Sequence, residues 1–591
     1  VKKKNNRKSD LLSLLLGVGI IALLNTASNY IFARFDLTAE KRYTLDQGTR
    51  DMLKNLKDVV FVQVYLDGDF PQGAGGFKRL RDETRIMLDE FRAWGGDNIE
   101  YEFIDPNENP DAAQRQKLAE QLMERGLLPF EVKINGEDGA TSTQRIFPGA
   151  VVTYNSKKTV INLLSTRRGA SGDEQLNNSV QELEYEFSNA IRKLQTVMRQ
   201  RIAILQGHGE LDSLYTADFA GALGEYYDIE YVTLNDQLRG LRDTMQKADQ
   251  IRNKYAALIV ARPDTALSDK EQFIVDQFVM YGGRVLWMVD PVYVDLDSLA
   301  LTGNTYGLPN NLGVEDMLFR WGARLNTDLV QDRYSTPIAI NVAPPGAQPR
   351  IERRPWLFYP MLRPESSHPI VRNLDAIRST YLSTVDTVET SSPVKKTILL
   401  TTSKESRVVN TPTRISLAMT RFQFDRRMLN KPYLPVAVLL EGKFDSYFKS
   451  KFLPAEIKTN PLIGYKEQSP ETRMIVIGDG EICGNDVRNG QAMPLGYDRN
   501  SPQSGALYAN KEFLLNCMNY LLDGKELLSL RSREVKLRLL DRDSISKHRL
   551  KWQSINIVLP VVIVIMFGVV RMFMRRRRFG LRNQPGQPKT S

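Results

Sequence analysis

A chain of 591 residues is too long for a single hydrophobic core, and its length alone suggests roughly three or four compact regions. Hydrophobic and charged fractions of 42% and 25% are those of a globular protein and exclude a disordered or wholly membrane-embedded one. The net charge of +10 does not describe the body: five Lys/Arg lie in residues 1–9 and seven in residues 571–591, leaving −2 between them, which argues against a nucleic-acid groove and for two membrane-proximal tails.

The basic tail VKKKNNRKSD covers 1–10. Residues 11–33 run uncharged around LLSLLLGVGIIALL, with Tyr30 and Phe32 at the far interface. They are expected to form an uncleaved transmembrane helix whose N-terminus stays inside. A cleaved signal peptide with Ala27 as its small-residue site is the competing reading.

Residues 34–172 are expected to form a small α/β domain. A helix capped by Thr44 or Asp46 ends near Leu56, and a β-branched strand follows at Val59–Leu66. Next come the loop DGDFPQGAGG, a helix over Phe77–Trp94, a strand over Ile99–Ile104 and a helix over Ala112–Arg125. Strands are expected at Val132–Ile134, Arg145–Tyr154 and Lys158–Leu163. The order β-α-β-α-β-β predicts a roughly thioredoxin-like layer. A thioredoxin needs Cys-x-x-Cys after its first strand, and no cysteine stands there.

Residues 173–200 form a long linking helix whose Leu176, Val180, Leu183, Phe187, Ala190, Leu194 and Val197 make a heptad seam. The seam packs on its own domain or on a partner helix. Residues 201–528 then alternate strand and helix: RIAILQG, Leu214–Tyr227, Ile229–Leu234, YAALIVA, a helix at Asp269–Tyr281 capped by Ser268, and GGRVLWMVD. This alternation predicts a parallel sheet covered on both faces. Leu312–Trp321 is a further helix, and eight prolines within 336–369 predict an irregular excursion. Later strands at Lys396–Thr401, Tyr433–Glu441 and Arg473–Gly478 and a helix at Asn510–Leu522 complete the sheet. Residues 529–551 are a charged juxtamembrane segment.

Residues 552–574 are expected to cross a bilayer: INIVLPVVIVIMFGVV carries no charge, Trp552 precedes it and Arg571 can snorkel. The basic tail 575–591, opening on Arg575–Arg578, marks the cytoplasmic side. With both ends inside, the bulk lies across the membrane, in the periplasm of a diderm bacterium.

No G-x-x-x-x-G-K-[ST] or G-x-S-x-G is present, and three scattered histidines with two cysteines offer no zinc spacing. Gly207-His208-Gly209-Glu210 follows a strand, where open α/β sheets bind ligands, but Asp212 replaces the last glycine of a dinucleotide motif. It is a candidate ligand or partner turn. His208 with Glu210 has the chemistry for acid/base work, although such a histidine is more often a hydrogen-bonded turn residue. Asp290-Pro291 reads as a cap, and Asp479, Glu481 and Asp486, lacking an EF-hand spacing, read as a solvated loop rather than a cation site. No catalytic, cofactor or metal residue is assigned. Cys483 and Cys517 form either a disulfide or two buried thiols.

FDLTAEKRYTLDQGT, FKRLRDETRIMLDEFRAW, YEFIDP, LEYEFSNAIRKL, LQGHGE, GGRVLWMVDP, PLGYDRNSPQ, NKEFLLNCMNYLLDG and LLSLRSREVKLRLLD together resemble the GldG family over nearly the whole chain. That family is the auxiliary, substrate-binding-labelled component of the gliding-motility ABC transporter of Bacteroidota. The resemblance implies an inner-membrane subunit with an ABC permease, a cytoplasmic ATPase and other envelope proteins as partners, and no cofactor. It also implies a larger domain similar to a class I glutamine-amidotransferase sheet, as in an intraflagellar-transport protein. An amidotransferase needs a nucleophilic cysteine at a strand-to-helix elbow, and neither Cys483 nor Cys517 is expected in one. The expected fold is thus two tandem periplasmic α/β domains between two transmembrane helices. The expected role is a non-enzymatic scaffold, the alternatives being a solute receptor or a hydrolase using His208 and Glu210.

Overall fold

VFVQV alternates apolar and polar side chains, and it forms the first strand, β1 (Val60–Val64), with Val60, Val62 and Val64 buried. In the computed structural model of this protein, the described residues are 44–71, 74–135, 141–164, 172–195, 199–243, 251–343, 346, 348–372, 374–421, 425–498, 508–523 and 549–580, with positions 16, 17, 19 and 20. The chain clusters into two units, 1–534 and 535–591.

In the first unit β1 pairs parallel with β2 (Ile99–Phe103) and antiparallel with β3 (Gly149–Tyr154), which pairs with β4 (Lys157–Asn162). The sheet order is β2-β1-β3-β4. Helices α1 (Gln47–Lys54), α2 (Gly75–Gly95) and α4 (Gly172–Gln195) share one core with it, through Leu53, Leu80, Phe91, Leu183 and Phe187. Helix α3 (Ala112–Glu124) sets Leu122 with Tyr65, Phe147 and Val151. Asp46 caps α1, accepting from the Gly48 N–H at 2.9 Å.

One expectation changes here. Arg145–Tyr154 is not one strand: Thr141–Ile146 pairs with Phe130–Asn135 as a separate hairpin, and β3 starts only at Gly149. Pro148, with no N–H to give a ladder, stands at the break. The heptad helix packs on its own domain, the first of the two readings of its seam. Its Val180, Leu183, Phe187, Ala190 and Leu194 are buried in the small sheet's own core, with Phe187 edge-on to Phe91 at 6.1 Å. Val197 lies outside the described residues.

The larger sheet holds β5 (Arg201–Gln206), β6 (Asp228–Thr233), β7 (Ala257–Ala261), β8 (Arg284–Met288), β9 (Val394–Thr401), β10 (Pro435–Gly442) and β11 (Thr472–Ile477). Their order is β9-β10-β11-β8-β7-β5-β6. Five neighbours, β11-β8-β7-β5-β6, are parallel, and β10 runs antiparallel to both β9 and β11. The sheet is therefore mixed rather than parallel throughout. A parallel crossover needs a long connection, usually a helix. Among the described residues, the helices in the stretches around β10 are short turns and the five-residue helix Ala455–Thr459.

The central strands are apolar at nearly every position because both faces are covered. Ile202, Ile204, Ile259, Leu286 and Ile475 point to one core, shared with α5 (Ala217–Gly224) and α8 (Asn510–Asp523). Ala203, Leu205, Leu258, Trp287 and Val476 point to the other, shared with α6 (Asp269–Met280) and α7 (Glu315–Trp321). Ser268 closes a full capping box on α6 with Glu271.

Much of the proline-rich stretch is regular rather than an irregular excursion. Ser335–Asn341 and Ile351–Leu362 form an antiparallel hairpin with Pro337 opposite Pro355 and Pro360 opposite Ser335. A register shift between Ser335 and Pro337 absorbs the lost donors. Trp356 and Phe358 anchor it against Tyr381 and Ile415.

The Cys483–Cys517 disulfide is not formed: both are free, buried thiols in one apolar core, and burial pushes both up. In the second unit, helix α9 (Arg549–Gly580) carries a 23-residue apolar span at Trp552–Met574, none of it buried by protein. The expected N-terminal span 11–33 lies outside the described residues apart from positions 16, 17, 19 and 20.

Candidate functional site

Four parallel strands deliver their carboxyl ends to one edge of the large sheet. β5 runs into Gly207–Glu210, β7 into Arg262, β8 into Asp290, and β11 into Asp479 and Glu481. The chain adds β6 on one side of β5 and then β7 on the other. The reversal opens a crevice between β5 and β7, the place where open α/β sheets bind ligands.

A cavity of about 900 Å³ occupies this edge. Glu210, Arg262, Tyr359, Arg378, Glu481 and Asn510 are among the residues that line it. That volume is in the range of small-molecule sites, though charged and polar groups are prominent in its wall. Asp486 also lines it, apart from the acidic cluster described below.

The Gly207–Glu210 turn is folded tightly. Gly209 has φ +75°, and a Cβ there would sit 1.6 Å from Asp264 Oδ1, so glycine is required. The His208 backbone N–H donates to Glu210 Oε2 at 2.6 Å, and the Asp264 and Thr265 N–H groups donate to the His208 carbonyl at 2.9 and 3.0 Å. The imidazole lies between two carboxylates, Nδ1 at 3.2 Å from Glu210 and Nε2 at 3.0 Å from Glu271. The Glu210 hydrogen bond, opposed by burial and aided by Glu271, raises His208 to about 9. Burial raises Glu271, yet the bonds from His208 and Ser268 outweigh it and hold the carboxylate low. A histidine charged at neutral pH with both nitrogens engaged is a clamp on the turn, and it has no free nitrogen for general-base work.

This clamp makes stability depend on pH. A folded pKa raised above 6.5 gives stabilisation that is complete below 6.5 and is lost as pH rises through about 9. The loss amounts to roughly 3 kcal/mol. Urea unfolding at pH 6 and pH 9.5 is expected to show that fall in the wild type and a nearly flat response in His208→Gln.

Next to the turn lies a cluster whose members are far apart in sequence. One carboxylate oxygen from each of Asp290, Asp479 and Glu481 lies within 4.8 Å of the others. Asp290 does not cap a helix: its Oδ1 accepts the Gly480 N–H at 2.6 Å. Asp479 Oδ2 accepts the Thr380 N–H, and Glu481 Oε2 accepts the Thr380 hydroxyl, both at 2.9 Å. The Arg262 Nε is 3.2 Å from Glu481 and 3.7 Å from Asp290. Burial first, then the Glu481 charge, raises Asp290 and Asp479 well above the usual carboxylate range. Burial raises Glu481 too, against the pull of Arg262. The solvated loop expected at 479–486 is thus a buried acidic network at its start, with Asp479 fully enclosed.

Arg262, Thr380 and Tyr381 were not legible as site residues. Arg262 holds φ +56° directly after a buried strand, and its N–H donates to the Met288 carbonyl at 2.8 Å. The signal available was positional: Arg262-Pro263, Asp290-Pro291 and Asp479-Gly480-Glu481 each follow a strand that ends in an apolar run.

Residues 199–517, more than half of the chain, match the family described as ABC-type uncharacterized transport system, ABC_transp_aux. The chain belongs to this family. It is an auxiliary component of an ABC-type transport system, which implies association with other transporter components. Residues 39–153, which contain β1, β2 and nearly all of β3, match a domain of unknown function, DUF7088. No curated protein matches. Among solved structures, one described as the mmIFT52 N-terminal domain matches at 11% identity and a TM-score of 0.28, over 57% of this chain and 100% of that one. A superposition this loose carries no argument about fold or function.

Proposed function

We propose that this auxiliary subunit is a non-enzymatic scaffold that couples an ABC permease and its cytoplasmic ATPase to proteins across the membrane, in the gliding-motility class of such systems. The match over 199–517 carries the reading. The unburied span Trp552–Met574, followed by Arg575–Arg578, supports an anchor with its C-terminal tail in the cytoplasm. The expected N-terminal span would place the α/β body on the far side, held at two points. Cys483 sits near the carboxyl edge, as a catalytic thiol would, but it is fully buried and pushed up by that burial, so it is not an activated nucleophile.

Purification of the tagged chain from mild detergent tests this reading. A permease and an ATPase are expected to come with it in fixed ratio, and recovery of the chain alone would contradict the proposal. The 900 Å³ cavity favours a second reading, a solute receptor within the same transporter. Under that reading a sugar, peptide or lipid library should contain a compound that raises the melting temperature of the wild type, since a ligand selective for the native state stabilises it.

A further inference from the structure

We propose that Asp290, Asp479 and Glu481 form a binding site for one hard divalent cation of the Ca²⁺, Mg²⁺ or Mn²⁺ type at the carboxyl edge of the large sheet. The donor set is all carboxylate oxygen, the chemistry such ions select over zinc or copper. The three donors come from the ends of two adjacent parallel strands, β8 and β11, so the sheet fixes their spacing.

Charge supports an ion. Among the described residues, the one guanidinium within ion-pair distance of the three-carboxylate cluster is that of Arg262, which meets Asp290 and Glu481. The Arg378 charge acts on Asp479 and Glu481 from further away. The contact set is therefore two negative charges in excess, matched by a divalent cation.

Two observations outside the clustering point the same way. Asp479 is fully buried, and its Oδ1 has no hydrogen-bond partner, an arrangement that costs free energy unless something else meets the oxygen. Tyr381, 4% exposed, buries its hydroxyl near Tyr359 and Trp356. It lines a small cavity together with Asp290, Glu481 and Arg262. That cavity holds about 20 Å³, enough for a single water-sized occupant and too small for an organic ligand. Glu481 borders both this cavity and the 900 Å³ one, and its side chain keeps 25% exposure, giving an entry path. Thr380 and Gly480 orient the carboxylates from behind, as the outer partners of a metal site do.

Thermal unfolding of the full chain in detergent, at matched ionic strength in EDTA, CaCl₂, MgCl₂ or MnCl₂, tests the site. At least one ion at millimolar concentration is expected to raise the midpoint by about 2–4 °C over EDTA. Mn²⁺ binding followed by electron paramagnetic resonance is expected to give one site per chain. Asp479→Asn should melt in EDTA at or above the wild-type temperature, because it removes a buried acid, and should lose both the shift and the Mn²⁺ site. Glu481→Gln, at a less buried carboxylate, replaces it as the test if Asp479→Asn does not fold. A wild type indifferent to all three ions, or variants that bind as the wild type does, would overturn the proposal. Ion binding needs no transporter partner, so its failure and that of the scaffold reading are separable.

Discussion

Trp287→Ala is expected to destabilise the protein by about 3–5 kcal/mol, the cost of an aromatic truncation in a closed core. Trp287 is fully buried on β8, the middle strand of the large sheet, in the core it shares with Phe278, Met317 and Trp321. Strands on both sides fix the backbone, so the hole cannot collapse. Trp287→Phe separates volume from polarity. The indole Nε1 is buried without a hydrogen-bond partner, a defect that phenylalanine removes. The phenylalanine variant is therefore expected within about 1.5 kcal/mol of wild type. Urea midpoints by far-UV circular dichroism distinguish the two, and equal losses would show that this core is not tightly packed.

Asp276→Ala is expected to cost a further several kcal/mol, about 3–5, through a different mechanism. Asp276 is fully buried on α6 and accepts from the Ser446 hydroxyl, the Tyr447 N–H and the Gln277 amide at 2.7, 2.7 and 2.9 Å. Alanine leaves those donors unmet at one of the points where the 443–471 connection meets the helix. Burial, partly offset by the Ser446 and Tyr447 bonds, raises Asp276 to about 6. Its contribution is thus fully present below the usual aspartate pKa of about 4 and is lost as pH rises through about 6. Asp276→Asn, uncharged at every pH, is expected to flatten stability between pH 4 and 6. A wild-type curve rising across that interval would refute the assignment.

The large sheet was legible because burial on both faces forces strands to be apolar at successive positions, as in YAALIVA and RMIVIG. Helix α6 announced itself through Ser268 and Glu271, and α9 through the absence of charge. The direction of β10 was not legible, since an apolar run carries no sign of parallel or antiparallel pairing. The proline hairpin was missed because prolines suit an edge or a bulge as well as a loop. Asp276 looks like an ordinary helix acid until Ser446, 170 residues away, is seen to donate to it. The acidic cluster was half visible: Asp479 and Glu481 are neighbours, but Asp290 joins them only through the pairing of β8 with β11.

Protease added to intact spheroplasts measures the topology on which the coupling role depends. Digestion of residues 44–523 with protection of an epitope placed after Arg578 is the expected result. A body that stays uncut until the membrane is opened would contradict it.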